Sequence, residues 1–242
     1  MPHRKKGKKV LLFIVEGSND EVALGMPLEN LQNKYAPDDM IMFGVTHGDI
    51  TSDFKVKKAA DEVVKCVKKY CKDYKLTKDD IHMIVLLLDM DGAYIPASSI
   101  VKSDEHDKAF YGESTILHKC PDDLRKTHSH KQKQVNSLLN IKHVWGNIPF
   151  NAYFVACNFD HVISGNANIT SREKRNAADA FSLEYGKDAD GFINFFNRSC
   201  FILGDSLKTS WDIVRQDLNS LKRCSNMNVF INAHYYFGKI TD

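Results

Sequence analysis

Apolar residues fall along this chain in short runs, and the runs alternate with stretches of helical spacing. Val10 to Val15 is a β-prone run closed by Glu16 and Gly17. Ser18, Asn19, Asp20 and Glu21 then read as a capping box with Ser18 as N-cap, which predicts a helix to about Leu31. Met40 to Val45 predicts a second strand. Past a polar turn at His47, Gly48 and Asp49, the residues Phe54, Val56, Ala59, Ala60, Val63, Val64 and Val67 recur at near-helical spacing up to about Tyr74. Ile81 to Leu88 is apolar throughout, as expected of a central strand covered on both faces.

Gly92 to Pro149 is less hydrophobic and reads as an insertion or extended loop region. Ala152 to Cys157 predicts a fourth strand, Ser171 to Tyr185 and Ser210 to Leu221 predict helices capped by Ser171 and Ser210, and Asn228 to Ile231 predicts a last short strand. The series implies an α/β fold: a doubly wound, mainly parallel sheet with helices on both faces, an insertion and a C-terminal helical extension. One domain is expected, with 1–95 as the first part of the core, 96–150 as the insertion, and 151–242 as the fourth strand and C-terminal helical part.

Composition narrows the class. With 43% hydrophobic and 26% charged residues the chain lies away from the disordered and membrane classes. No apolar run approaches the roughly 18 residues of a membrane span. The basic opening before Val10 has the look of a signal peptide, but Glu16 interrupts the apolar stretch, so a buried strand is the expectation. Six cysteines without CxxC pairs point to free thiols and a cytoplasmic setting. The formal net charge of +2 leaves any nucleic-acid argument to local clusters. Lys5, Lys6 and Lys8 form one, and Arg125, Lys126 and Lys131 another; either could touch phosphates or be ordinary solvated surface. His106, His118, His128, His130 and His143, with Cys120, fit no common zinc pattern and are expected on a solvated loop. Phe192, Phe195, Phe196, Tyr235, Tyr236 and Phe237 are expected in the core.

The candidate chemistry lies at two strand ends. Val15-Glu16-Gly17 closes the first strand and Leu88-Asp89-Met90-Asp91-Gly92 the third, which would bring carboxylates into one crevice at the carboxyl edge of the sheet. Carboxylates so grouped suit Mg²⁺ or Mn²⁺, whose remaining positions phosphate oxygens can fill, and phosphodiester cleavage is the natural use.

Glu16-Gly17 together with Asp89-Met90-Asp91-Gly92 resembles the Toprim family of topoisomerases, primases, small ribonucleases and nucleases of the overcoming-lysogenization-defect type. The resemblance covers about residues 8 to 95. It implies a metal-dependent nuclease acting on DNA or RNA, with Glu16 as acid/base or metal ligand and Asp89, Asp91 and Asp20 as further ligands. The gap from Glu16 to Asp89 exceeds that of primases and fits an extra-long second helix, as in the defence nucleases. Tyr153 to His161 is similar to an element of RloB-like phage-defence proteins and adds Asp160 as a further metal residue, with aspartate where glutamate is usual. The family also implies an ATPase partner, a phage-defence role and room for an oligomer. Two other readings stand beside this one. The domain could bind metal and nucleic acid or an ATPase without cutting. Asp89-Met90-Asp91-Gly92 also fits a haloacid-dehalogenase phosphatase with Asp89 as nucleophile, although Ala93 departs from that motif, no downstream lysine and acidic pair is evident, and Glu16 would have no role.

Overall fold

The first and third apolar runs become neighbouring strands at the middle of one sheet. A computed structural model describes residues 9–46 and 49–235 of the chain. Strands β1 (Lys9–Val15), β2 (Asp39–Val45), β3 (Ile81–Asp89), β7 (His143–Val144) and β8 (Ile148–Val155) lie in the order β2-β1-β3-β8-β7. The pairs β1/β2, β1/β3 and β3/β8 are parallel, while β7 closes the edge antiparallel to β8. The protein is therefore an α/β protein with a mixed, mostly parallel sheet.

Alternation along the strands explains why their sequences are apolar throughout. Leu11, Phe13, Val15, Val85 and Leu87 pack on one face with α1 (Ser18–Tyr35), α5 (Ser171–Tyr185), α6 (Ala189–Phe196) and α8 (Met227–His234). Leu12, Ile14, Ile84, Leu86 and Leu88 pack on the other with α2 (Ala59–Asp73), α3 (Pro121–Leu139) and α7 (Leu207–Val214). Each such side chain, fully buried, contributes roughly 1.5–3 kcal/mol through area removed from water. Phe192, Phe195, Phe196 and Tyr235 join the first core; Tyr236 and Phe237 lie outside the described residues. Among the described residues no helix is long and apolar enough to cross a membrane.

Several elements differ from the sequence expectation, each for a local reason. The N-cap of α1 is Gly17, not Ser18: the Asp20 carboxylate accepts the Gly17 N–H at 3.0 Å. The second helix is not extra long. Phe54 and Val56 precede it, in a segment where Asp49 Oδ1 accepts the backbone N–H groups of Thr51 and Ser52. The cap of α5 is Thr170, which accepts from Glu173 N–H, and that of α7 is Ser206, which leaves Ser210 buried inside the helix. The helix expected to reach Leu221 stops at Val214, and Asn219–Leu221 is a separate 3-10 turn. Asn228 to Ile231 is not a strand but part of α8, because Met227, Phe230 and Ile231 share a helical face turned to the core.

The largest departure is between Gly92 and Pro149, which is not an extended loop. Strands β4 (Ile100–Lys102), β5 (Phe110–Tyr111) and β6 (Ile116–His118) form a small second sheet, and the 19-residue α3 follows. The inward face of α3 carries His128, Lys131 and Gln134 beside Val135 and Leu138. A polar buried face hides a helix from any reading based on hydrophobicity. His128 accordingly is buried and not on a solvated loop.

Candidate functional site

The sheet order places a crevice where the sequence expects one. From β1 the chain crosses to β2 on one side, and β3 then takes the other side of β1, so the winding reverses between β1 and β3. Open α/β sheets bind ligands at such a switch point, outside the carboxyl ends of the strands. Glu16 follows β1 and Asp89 ends β3. The two meet: Asp89 N–H donates to Glu16 Oε2 at 3.3 Å.

Beyond Asp89 the chain stays tied to the segment after β8. Met90 N–H donates to Val155 O at 2.9 Å and Asp91 N–H to Cys157 O at 2.7 Å. Asp91 and Gly92 then both take positive φ, +50° and +69°. Glycine suits position 92, where φ is positive and a Cβ would also press on the Ile116 Cδ1 end at 2.7 Å. This turn directs the Asp91 carboxylate between two partners, Tyr111 Oη at 3.1 Å and Lys131 Nζ at 2.5 Å.

Six carboxylates, those of Glu16, Asp20, Asp49, Asp89, Asp91 and Asp160, line one cavity of about 360 Å³ together with Lys174. Lys131 comes to them from α3, its side chain wholly buried, and bridges Asp91 and Asp49, the latter at 2.7 Å. Lys174 of α5 pairs with Asp160, which sits in the first turn of α4 (Phe159–Ser164). Asp89 Oδ1 accepts the Phe159 N–H at 3.1 Å. Glu16 Oε1 is buried with no hydrogen-bond partner among the described residues.

Two ammonium groups cannot balance six carboxylates, and the imbalance shows in the acidities. Burial, then Asp49, holds the Glu16 carboxyl well above the usual carboxylate range, and burial followed by Asp20 and Asp91 does the same for Asp89. Burial also raises Asp20 to about 6, against the lowering effect of the Gly17 amide. Asp49 is held low instead: burial opposes its ionisation most, but the Lys131 ammonium together with hydrogen bonds from Ser52 and Thr51 outweighs it. His128, one turn before Lys131 on α3, is pushed down to about 4 by burial, and neither ring nitrogen has a partner among the described residues.

A pH dependence follows from the sign of these shifts. A carboxyl whose folded pKa lies above its unfolded value stabilises the fold below the unfolded pKa and loses that contribution as pH rises through the folded one. For Asp20 that window runs from about 4 to about 6, and Glu16 and Asp89 shift in the same direction. Metal-free wild type is expected to lose stability relative to Asp20→Asn as pH rises from 5 to 8, a comparison in which the opposite shifts of His128, His161 and His234 cancel. A gap between wild type and Asp20→Asn that stays constant from pH 5 to pH 8 would show that the Asp20 carboxyl is not crowded.

Of the residues singled out from sequence, Glu16, Asp20, Asp89, Asp91 and Asp160 converge on the cavity. The basic residues do not behave as one patch. Lys5, Lys6 and Lys8 lie outside the described residues. Arg125 pairs with Asp122 and donates to the carbonyls of Ala97 and Ile100, and Lys126 pairs with Asp123. Lys131 is no surface phosphate contact but the buried counter-charge of the acidic group. Sequence reasoning missed Asp49, Lys174 and Tyr111. Asp49 alone left a signal, as an acidic residue shortly after the second strand.

Among the described residues no set of three or more His, Cys, Asp or Glu side chains stands arranged as a metal-ligand group. Lys131 and Lys174 account for part of this by holding Asp49, Asp91 and Asp160. The donor chemistry nonetheless fits a hard divalent cation: oxygen ligands only, four negative charges in excess if all six carboxyls ionise, and an unpartnered buried oxygen on Glu16. Fold and site together define an α/β protein with an acidic crevice at its sheet switch point. Comparison with family models, with curated proteins and with solved structures gave no match.

Proposed function

We propose that the chain is a Toprim-like, doubly wound enzyme that uses Mg²⁺ or Mn²⁺ to cleave phosphodiester bonds of nucleic acid. The observation that carries this reading is the unpartnered, buried Glu16 Oε1 amid carboxylates that outnumber their counter-charges, at the end of β1 next to Asp89. Glu16, Asp20 and Asp89, which have no ammonium partner among the described residues, would hold the ion, with Asp91 and Asp160 able to join if their lysines move. Such an ion would polarise a phosphodiester and lower the pKa of a water bound to it. Glu16, whose carboxyl burial holds well above the usual carboxylate range, is placed to exchange a proton there. Lys131 and Tyr111 fix the orientation of Asp91.

The test is cleavage of labelled single- and double-stranded DNA and RNA. Purified protein should cut at least one of them with Mg²⁺ or Mn²⁺ and none in chelator. Absence of cutting with both metals on all four substrates would contradict the reading. Release of phosphate from phosphomonoesters with a phosphoaspartate trapped at Asp89 would replace it by the phosphatase reading.

A further inference from the structure

Tyr111 belongs to two places at once. Its hydroxyl rests on Asp91, and the residue also lines a second cavity, of about 330 Å³, which lies outside the acidic group. Asn168 fixes Tyr111 between them: its Oδ1 accepts the Tyr111 N–H at 2.8 Å and its Nδ2 donates to the Tyr111 carbonyl at 2.7 Å. Tyr111 therefore links the second cavity to Asp91, which lines the acidic one.

The second cavity has the opposite electrical character. Lys222, Arg223 and His161 line it with Asn166 and Asn168, and Glu113 is its one acidic member. Arg223 is held in place by two hydrogen bonds from Nε and Nη2 to the Val162 carbonyl and by its position over the Phe201 ring, 5.1 Å from the centroid. That leaves Nη1, the guanidinium nitrogen nearest the Gly165 turn, for a ligand. Lys222 is exposed and bonded only to Asn219 Oδ1. His161 Nδ1 is buried with no partner among the described residues. A guanidinium braced from behind, an ammonium at the rim and neutral polar groups between them match a phosphate and its sugar. The volume sits at the small end of the roughly 300–1,000 Å³ typical of ligand pockets, room for about one nucleotide unit.

We infer that this cavity is a substrate subsite that takes the phosphate of the nucleotide flanking the scissile bond, so that a single nucleic-acid strand crosses Tyr111 from the acidic crevice to Lys222 and Arg223. The inference rests on the nuclease reading for its scissile phosphate, but its binding chemistry can be measured without cleavage. A strand approaching six carboxylates meets repulsion, and a cationic anchor in the cavity that Tyr111 lines would offset it.

The probe is a fluorescent single-stranded oligonucleotide of about ten residues, followed by anisotropy across a salt series in the Asp89→Asn background. Lys222→Glu should weaken binding about tenfold and reduce the salt slope by about 0.7, the loss of one phosphate contact on a single strand. Arg223→Gln should do the same and Arg223→Lys should retain most of the affinity, which separates charge from folding. In an otherwise wild-type protein both weakening variants should raise KM with kcat within about twofold. Unchanged affinity and salt slope in both weakening variants would overturn the subsite, even if the wild type cuts; absence of any oligonucleotide binding would overturn it too. Binding that depends on residues 222 and 223 in a protein that cuts nothing would support the subsite and sink the nuclease reading instead.

Discussion

Lys131→Met is expected to cost the fold about 3–5 kcal/mol, the loss typical of removing one partner from a buried ion pair. The methionine fills most of the volume, so packing changes little, but Asp49 and Asp91 lose the ammonium that both touch. Glu16 also loses the Lys131 charge that offsets its burial. For a chain of 242 residues this is a fall in Tm of roughly 6–20 °C, readable by calorimetry or circular dichroism. The double variant Lys131→Met with Asp49→Asn should recover part of the loss, because one of the stranded charges goes with the lysine. Mn²⁺ should raise the Tm of Lys131→Met more than that of the wild type, since the vacated place lies between two carboxylates. A loss under 1 kcal/mol in urea melts would mean that Lys131 does not carry the balance of charge described above.

The second large effect concerns Glu16→Gln and Asp89→Asn, for which activity and stability should move in opposite directions. Each removes a ligand of the proposed ion, and Glu16→Gln also removes the carboxyl suited to proton exchange. A loss of about 4 kcal/mol of transition-state stabilisation corresponds to roughly a thousandfold fall in cleavage rate. Yet each change also removes a charge that burial and neighbouring carboxylates disfavour. Without metal, both variants should therefore melt at or above the wild-type temperature, by a margin that grows from pH 5 to pH 8. Variants that lose activity together with stability would point to a structural role for these two residues.

This opposition also separates what sequence could reveal from what it could not. Val10 to Val15 and Ile81 to Leu88 were legible because strands covered on both faces need apolar residues at every position, and the acidic residues that end them stand out against that background. The meeting of Glu16 with Asp89 follows from parallel pairing of β1 with β3. Lys131 was not legible as part of the site. It lies in a helix whose buried face is largely polar, and a buried lysine in sequence looks the same as a solvated one until its two aspartates are placed beside it. Lys174 reaches the site by pairing with Asp160, 14 residues before it, and Tyr111 by its bond to Asp91, 20 residues before it, separations over which no local spacing rule operates. The last segment shows a different limit. Asn228 to Ile231 is too short to tell a strand from a helix by itself, and the spacing of Met227, Phe230 and Ile231 decides it only when the core face is known.

The most direct test of the whole account is a Mn²⁺ titration followed by the paramagnetic resonance of the free ion, run on the wild type and on Glu16→Gln and Asp89→Asn. Saturable binding of at least one ion per chain, weakened tenfold or more in each variant, is the predicted result. Binding that is absent in the wild type, or equal in all three proteins, would contradict the claim that the crevice between β1 and β3 exists to hold a cation.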